Sequence, residues 1–351
     1  MSGGARTESI AITAASVLSP VGSDTAQTCA SIRARINRFA EWPPFPVAGG
    51  RDSPEAAEPA VLAASKRFPA ELEGRDRLTA MLLACLQDFL LEARLTREDL
   101  AHTPFLLACP RPDDAVAAWH LESTYVEDVF RRASLPKPPL IAIDATGHTG
   151  VFRLLEQAVA LLRAGRCDRC IVGGADTWFS ASRIAALDRA RRLKSSRNPD
   201  GFVPGEAAGL VLLERAGGAR ALGLLDGPGL GEEPQTSGGD RHSTGSGLAG
   251  SIAALPAGGA WSRVYCDLNG ESYRFAEWGV ARARLGERFA ETIALIHPAD
   301  CVGDVGAASG ALLLACGVEA FRRGYADTER VLLWTASDER ERAAVQVTAS
   351  A

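Results

Sequence analysis

Apolar runs of strand length alternate with stretches of helical period along nearly the whole chain. Residues 9–16 read as a strand, and after the Ser19-Pro20-Val21-Gly22 turn residues 25–34 fit a helix. From Trp42 to Pro59 the chain is rich in Pro, Gly and Asp, which predicts a loop. Residues 75–93 place Leu78, Met81, Leu82, Cys85, Leu86, Phe89 and Leu90 at helical spacing, so this segment is expected to be a buried helix. Apolar runs at 105–109 and 140–144 predict strands bracketing a helical stretch around 114–133.

Residues 140–174 form the clearest unit. A strand feeds a helix whose core face includes Phe152, Leu155, Val159 and Leu162, and Gly165 stops that helix as a C′ residue. The chain returns through Cys170-Ile-Val-Gly-Gly174, which predicts a βαβ unit and a parallel pair of strands. Residues 198–214 read as a loop entering a buried strand. After Ala216 the chain turns Gly- and Ser-rich, and the division into two halves, 1–216 and 217–351, is placed there. The second half repeats the rhythm. Its strands are expected at 221–225, 263–268, 292–296 and 330–336, its helices at 248–255, 275–289 and 307–323. The class is α/β.

Bulk composition narrows the function. The chain has 351 residues, 46% of them hydrophobic and 23% charged, enough to bury a substantial core. A net charge of −5 argues against a general nucleic-acid binder. No stretch has the apolar length that spans a bilayer, and the first residues lack the apolar core of a secretory signal, so a cytoplasmic location is expected. The eight cysteines are scattered, and reduced thiols are expected. Cys167 and Cys170 have CxxC spacing without a second ligand pair, which reads as structural, and no metal or cofactor is expected.

Two motifs carry chemistry. Ile141-Ala-Ile-Asp-Ala-Thr-Gly-His-Thr-Gly-Val151 is a strand, a tight turn and a helix start. Asn198-Pro-Asp-Gly-Phe-Val-Pro-Gly-Glu-Ala-Ala-Gly-Leu-Val-Leu-Leu-Glu214 is a loop running into a strand. Together they resemble the β-ketoacyl synthases, the condensing enzymes of the thiolase superfamily. The resemblance implies the thiolase fold, two similar βα halves forming a five-layer α-β-α-β-α sandwich. In that family the strand-to-helix turn carries a nucleophilic cysteine in a pattern like Thr-Ala-Cys-Thr-Ser-Gly-Val. Aligned on Thr149-Gly150-Val151, the cysteine position is Gly147, and glycine cannot hold an acyl group.

The resemblance also places the family's two catalytic histidines. The first falls on Asn269, in Asp267-Leu-Asn-Gly-Glu-Ser272, and the second on Asp304, in Gly303-Asp-Val-Gly-Ala-Ala-Ser-Gly-Ala311. The family's lysine five residues upstream corresponds to Ala299, and the segment from Trp334 to Arg342 stands where a Gly- and Phe-rich loop is usual. Asn269 keeps an NH₂ donor able to polarise a carbonyl, whereas an ionised Asp304 accepts only and would repel an enolate. Decarboxylative condensation is therefore not expected.

The remaining candidates cluster around these positions. His148, beside Gly147, is a candidate general base or nitrogen nucleophile because a helix N-terminus favours neutral imidazole; its plainer role is to close the turn or to contact a dimer neighbour. Asp144, His148, Asn269, Glu271 and Asp304 are expected to converge if the fold holds, although Glu271 alone also fits a solvent-facing position. Thr146, Thr149, Glu271 and Phe202 are candidate substrate contacts. Cys266 and Cys301 read as core, and Glu206 as a residue bonding backbone groups beneath the site. The basic run 189–197 supplies Arg191, Arg192, Lys194 and Arg197 as a candidate docking patch for an acidic acyl carrier protein.

The resemblance implies a binding, scaffold or partner subunit, as in the chain-length factors that lack the cysteine yet pair with an active synthase. The Asn-Gly-Glu motif is also similar to that of synthase-like proteins encoded beside bacterial type VI secretion genes. The alternative is an acyltransferase or thioesterase using His148 or Asp304. A homodimer, or a heterodimer with an intact synthase, is expected through the edge strand around 140–143.

Overall fold

The computed structural model describes residues 9–47, 58–217, 221–236 and 243–350. The strands in chain order are β1 (Ile10–Leu18), β2 (Phe39–Val47), β3 (Glu58–Ala63), β4 (Phe105–Ala108), β5 (Ile141–Asp144), β6 (Arg169–Thr177), β7 (Glu206–Arg215), β8 (Gly223–Glu232), β9 (Trp261–Cys266), β10 (Phe289–Ile296), β11 (Arg330–Ala336) and β12 (Glu341–Thr348). The helices are α1 (Thr25–Arg33), α2 (Gly74–Ala93), α3 (Arg97–Ala101), α4 (Ser123–Arg132), α5 (Gly150–Arg163), α6 (Ala181–Arg189), α7 (Ser246–Ala253), α8 (Ser272–Arg284), α9 (Ala299–Val302) and α10 (Ser309–Arg322).

Ten strands form one sheet in the order β10-β9-β11-β12-β8-β1-β7-β6-β4-β5. The order is internally repeated. In each half a central strand, β4 or β9, lies parallel to both neighbours (β5 and β6, or β10 and β11), and two antiparallel strands follow. The halves join through the short ladder pairing Ile10–Ile12 of β1 with Gly223–Leu225 of β8. Helices α5 and α10 pack between the halves, α5 against β6 and β8, α10 against β7 and β11. Helix α2 covers β1, β6 and β7 on the outside, while α7 covers β8 and β12.

The apolar clusters follow these layers. One joins Val151, Leu155 and Leu162 of α5 to Leu312, Leu313 and Ala315 of α10 between the sheet halves. A second lies under α2 and α4, and a third holds Trp278 of α8 stacked on Trp334 of β11 at 5.2 Å. This is the five-layer α/β arrangement of the thiolase fold.

Three expectations change. The segment 42–47 is strand, paired as β2 with β3, because its prolines lie in a two-stranded hairpin with an irregular register between Trp42 and Pro46, where few ladder donors are needed; residues 48–57 of the expected loop lie outside the described residues. Strands β5 and β6 run in the same direction but are not neighbours: β4, buried at all four positions, lies between them, and half-buried β5 takes the edge. The tail after Trp334 is the end of β11, a turn and β12, whose Arg342–Val347 interior is buried.

Candidate functional site

Each sheet half delivers the same device to the centre of the molecule. A strand or short helix ends, a three-residue 3₁₀ turn follows (Gly147–Thr149 or Gly306–Ala308), and a helix of 14 residues begins. An aspartate shapes each turn: Asp144 Oδ1 accepts from Thr146 N at 2.9 Å, and Asp304 Oδ1 accepts from Gly306 N at 2.8 Å. Asp144 also binds Arg153 at 3.0 Å, so it serves the turn and lies outside the cluster around Asp304.

Gly147 is buried with a φ of +73°, a left-handed conformation that suits glycine, and a Cβ built there would have no heavy atom within 4 Å. The turn is tied down from the second half by Ser337. Its hydroxyl donates to the Thr146 carbonyl at 2.6 Å and accepts from Thr149 N at 3.2 Å. Thr149 Oγ1 lies 2.9 Å from the same hydroxyl, so Thr149 closes the turn instead of facing a ligand.

His148 and Asp304 meet as a buried pair. His148 Nε2 lies 2.8 Å from Asp304 Oδ1 and 3.0 Å from Oδ2. Burial opposes the charged imidazolium, but the adjacent Asp304 carboxylate outweighs it and holds the His148 pKa above its ordinary value. Burial likewise opposes the Asp304 carboxylate, yet His148, Arg274 and the Asn269 amide drive its pKa below the usual range. The helix-start argument for a neutral His148 is thus opposed by a carboxylate at hydrogen-bond distance, which favours the protonated ring.

Asn269 is equally occupied. Its two amide hydrogens go to Asp304 Oδ2 at 2.8 Å and Glu271 Oε2 at 3.0 Å, while its Oδ1 accepts from Glu271 N at 3.1 Å. That last contact orients the amide and leaves no donor to polarise a substrate carbonyl, contrary to the expectation from residue type. Glu271 does not face solvent. It is 5% exposed and receives Arg192 through both oxygens, at 2.8 and 2.7 Å.

Arg192 therefore turns inward, away from the surface role its place in the basic run suggested. It also binds Asp338 at 2.7 Å and lies over the Phe202 ring at 5.1 Å. Phe202 is fully buried and packs edge-on against Trp178, making it the floor under Arg192. Arg191, Lys194 and Arg197 stay exposed, with Lys194 Nζ donating to the Pro199 carbonyl at 2.9 Å.

Three participants lay outside the sequence reading. Arg274, 4% exposed, binds Asp338 at 2.6 Å and the Ala336 carbonyl at 2.7 Å. Burial disfavours the Asp338 carboxylate, but Arg274 and Arg192 hold its pKa well below the ordinary range. Asp267 accepts from Ala336 N at 2.9 Å, its second oxygen has no partner, and burial raises its pKa despite Arg274. His148, Arg192 and Arg274 are thus interleaved with the carboxyl groups of Asp304, Glu271, Asp338 and Asp267. Beside the network, a void of about 10 Å³ bordered by Asp267, Asp304 and Ser309 has room for about one water molecule.

Cys266 borders the same void, but its thiol and that of Cys301 bond backbone carbonyls, of Ile296 and Ile32, instead of network side chains. Burial pushes the Cys266 thiol well above its ordinary value and the Cys301 thiol up to about 11, consistent with core positions. Cys167 and Cys170 are free thiols. Glu206 accepts from Ser65 N at 2.7 Å and pairs with buried Arg77 at 2.6 Å, bracing the loop below the site. Among the described residues no group of three or more His, Cys, Asp or Glu side chains is arranged to hold a metal ion, and no helix is long and apolar enough to cross a membrane.

The chain has the thiolase fold, with a turn-and-helix device from each half facing its partner. The family model for the β-ketoacyl synthase N-terminal domain matches residues 137–219. A segment of 92 residues is 36% identical to the pikromycin polyketide synthase component PikAIII of Streptomyces venezuelae, covering 24% of this chain and 6% of that much longer protein. In structure, the chain is similar to the ishigamide ketosynthase/chain length factor, with a TM-score of 0.78 and 15% identity over 98% of this chain and 100% of that one. It is also similar to a type II ketosynthase solved with its acyl-carrier protein, with a TM-score of 0.78 and 14% identity over 99% and 100% of the two chains. The module 6 ketosynthase of the Bacillus subtilis bacillaene synthase gives 0.77 and 13% over 98% and 72%.

Proposed function

We propose that this chain is a synthase-like subunit without condensing activity, whose fold serves binding and assembly. One observation carries the reading. The residues at the nucleophile and histidine positions are Gly147, Asn269 and Asp304, and the polar groups of the last two are all engaged within the protein. Asp304 holds His148, Asn269 and Gly306 N, and Asn269 holds Asp304 and Glu271. The Asn-Gly-Glu motif likened to the secretion-associated branch becomes one arm of this brace. The same pairing weighs against an acyltransferase or thioesterase working through Asp304, whose two oxygens are both engaged, and it commits the His148 Nε2 to that carboxylate.

A carrier-docking role rests on Arg191, Lys194 and Arg197 at the surface, and on an acyl-carrier protein bound to a structurally similar ketosynthase. Pairing with a second copy or with an intact synthase rests on the edge position of β5. Incubation with acyl- and malonyl-loaded carrier protein, followed by intact mass and released thiol, tests the central claim. No adduct and no thiol release above a carrier-only control are expected. Turnover that disappears in His148→Ala would overturn the reading.

A further inference from the structure

A cavity of about 550 Å³ lies between α1, the start of α9, the middle of α10 and strands β9 and β10. The network residues do not line it, and its volume is within the range of small-molecule sites. Its wall changes character from mouth to floor. Arg33, Arg35 and Arg263 border it on the polar side. Arg263 is held in place: its Nε donates to the Ala326 carbonyl at 2.7 Å, and its side chain is 17% exposed. Arg33 lies over the Tyr325 ring at 4.6 Å.

The cations outnumber the anions here. Asp327 contacts Arg263 at 3.5 Å from a side chain that is 85% exposed, and Asp300 is paired with His297 at 3.0 Å. Among the described residues neither Arg33 nor Arg35 has a carboxylate partner. A positive surplus at a cavity mouth on a chain of net charge −5 is a local departure that draws in anions.

The inner wall is formed by Cys29, Cys301, Cys316, Ile32 and Tyr265. Cys29 and Cys316 touch at 3.8 Å, and hydrogen bonding and burial keep the Cys29 thiol protonated. Buried thiols behave as small apolar groups, so this wall fits the cavity to an apolar body.

We propose that this cavity binds a small organic anion, with its carboxylate or phosphate on Arg33, Arg35 and Arg263 and a short apolar body against the thiol-lined wall. The proposal is independent of whether condensing activity is absent. Titration calorimetry of the full chain with hexanoate, hexyl phosphate and hexanol tests it. One site for at least one of the two anions is expected, with at least tenfold weaker binding of hexanol, and comparison of the two anions tells a carboxylate from a phosphate ligand. The Arg33→Gln/Arg35→Gln double variant is expected to lose at least tenfold in affinity while keeping the wild-type melting temperature. Arg263→Gln is a second probe, and ligand-induced shifts of cavity-lining residues in NMR spectra report binding should either variant fold poorly. No binding of either anion at millimolar concentration, equal affinity for hexanol, or binding that ignores all three arginines would overturn it.

Discussion

At the scale of residues, the centre of the site is a charge pair whose pH dependence has a definite sign. His148 is raised in the folded chain, so its contribution is complete below its ordinary value of 6.5 and is lost as pH rises through the higher folded value. Asp304 is lowered, so its contribution is present above its ordinary value of 3.8 and is lost only as pH falls through the lower folded value. The pair is therefore at full strength between those two ordinary values. His148→Gln is expected to cost about 3 kcal/mol near pH 5.5, the scale for removing one partner of a buried pair. The difference from wild type should shrink toward pH 9 as the wild-type histidine loses its proton. Urea unfolding across that range measures it, and a constant difference would rule out the ionised pair. The family resemblance, with the fold it implies, was enough to place His148, Asn269, Glu271 and Asp304 together. It did not reveal that Arg192 and Arg274 balance Glu271 and Asp338 there. The two arginines and Asp338 stand on different elements, and Arg192 sat in a basic run read as a surface docking patch.

At the scale of elements, the same turn recurs at the starts of α5 and α10, and a glycine at each should respond differently to an added methyl. Gly147 has a strained φ but open space around a would-be Cβ, so Gly147→Ala is expected to cost about 1 kcal/mol, from backbone conformation alone. Gly174, on β6, would place a Cβ 2.1 Å from the Ala307 carbonyl in the turn before α10. Backbone must move there, so Gly174→Ala is expected to cost about 3 kcal/mol. Thermal or urea unfolding of the two variants gives the ranking, and equal costs would contradict the β6–α10 contact. Hydrophobic period made α2 and α5 legible because each buries one continuous face, and unbroken apolar runs did the same for α10 and the central strands, which are buried all round. It failed at β2, where prolines imitate a loop, and at β12, where a charged turn hid an apolar strand. Neighbour order also escaped it: nothing local to residues 140–174 says that β4 inserts between β5 and β6.

At the scale of the whole molecule, two matched sheet halves close on α5 and α10 and leave one parallel strand at each end, β5 and β10. An edge strand presents unpaired backbone groups, which folded proteins either cover or pair. β5 is only half-buried along its length, and Leu140 just before it is an exposed large apolar side chain at 36%. The strand also leads directly into the turn held by Asp144 and Ser337, so a partner docked on it would brace the same element that carries Gly147 and His148. Pairing through β5 is expected to give a particle of twice the 37.0 kDa chain mass in light scattering, or a stable complex with a cysteine-bearing synthase on co-expression. Leu140→Arg adds charge at the edge without entering the core, since that side chain is already exposed, and should shift the particle to monomer with its melting temperature lowered only by the lost interface. A wild-type chain that stays monomeric at tens of micromolar and captures no synthase would show instead that β5 is protected by its own shortness, the other way in which edge strands avoid association.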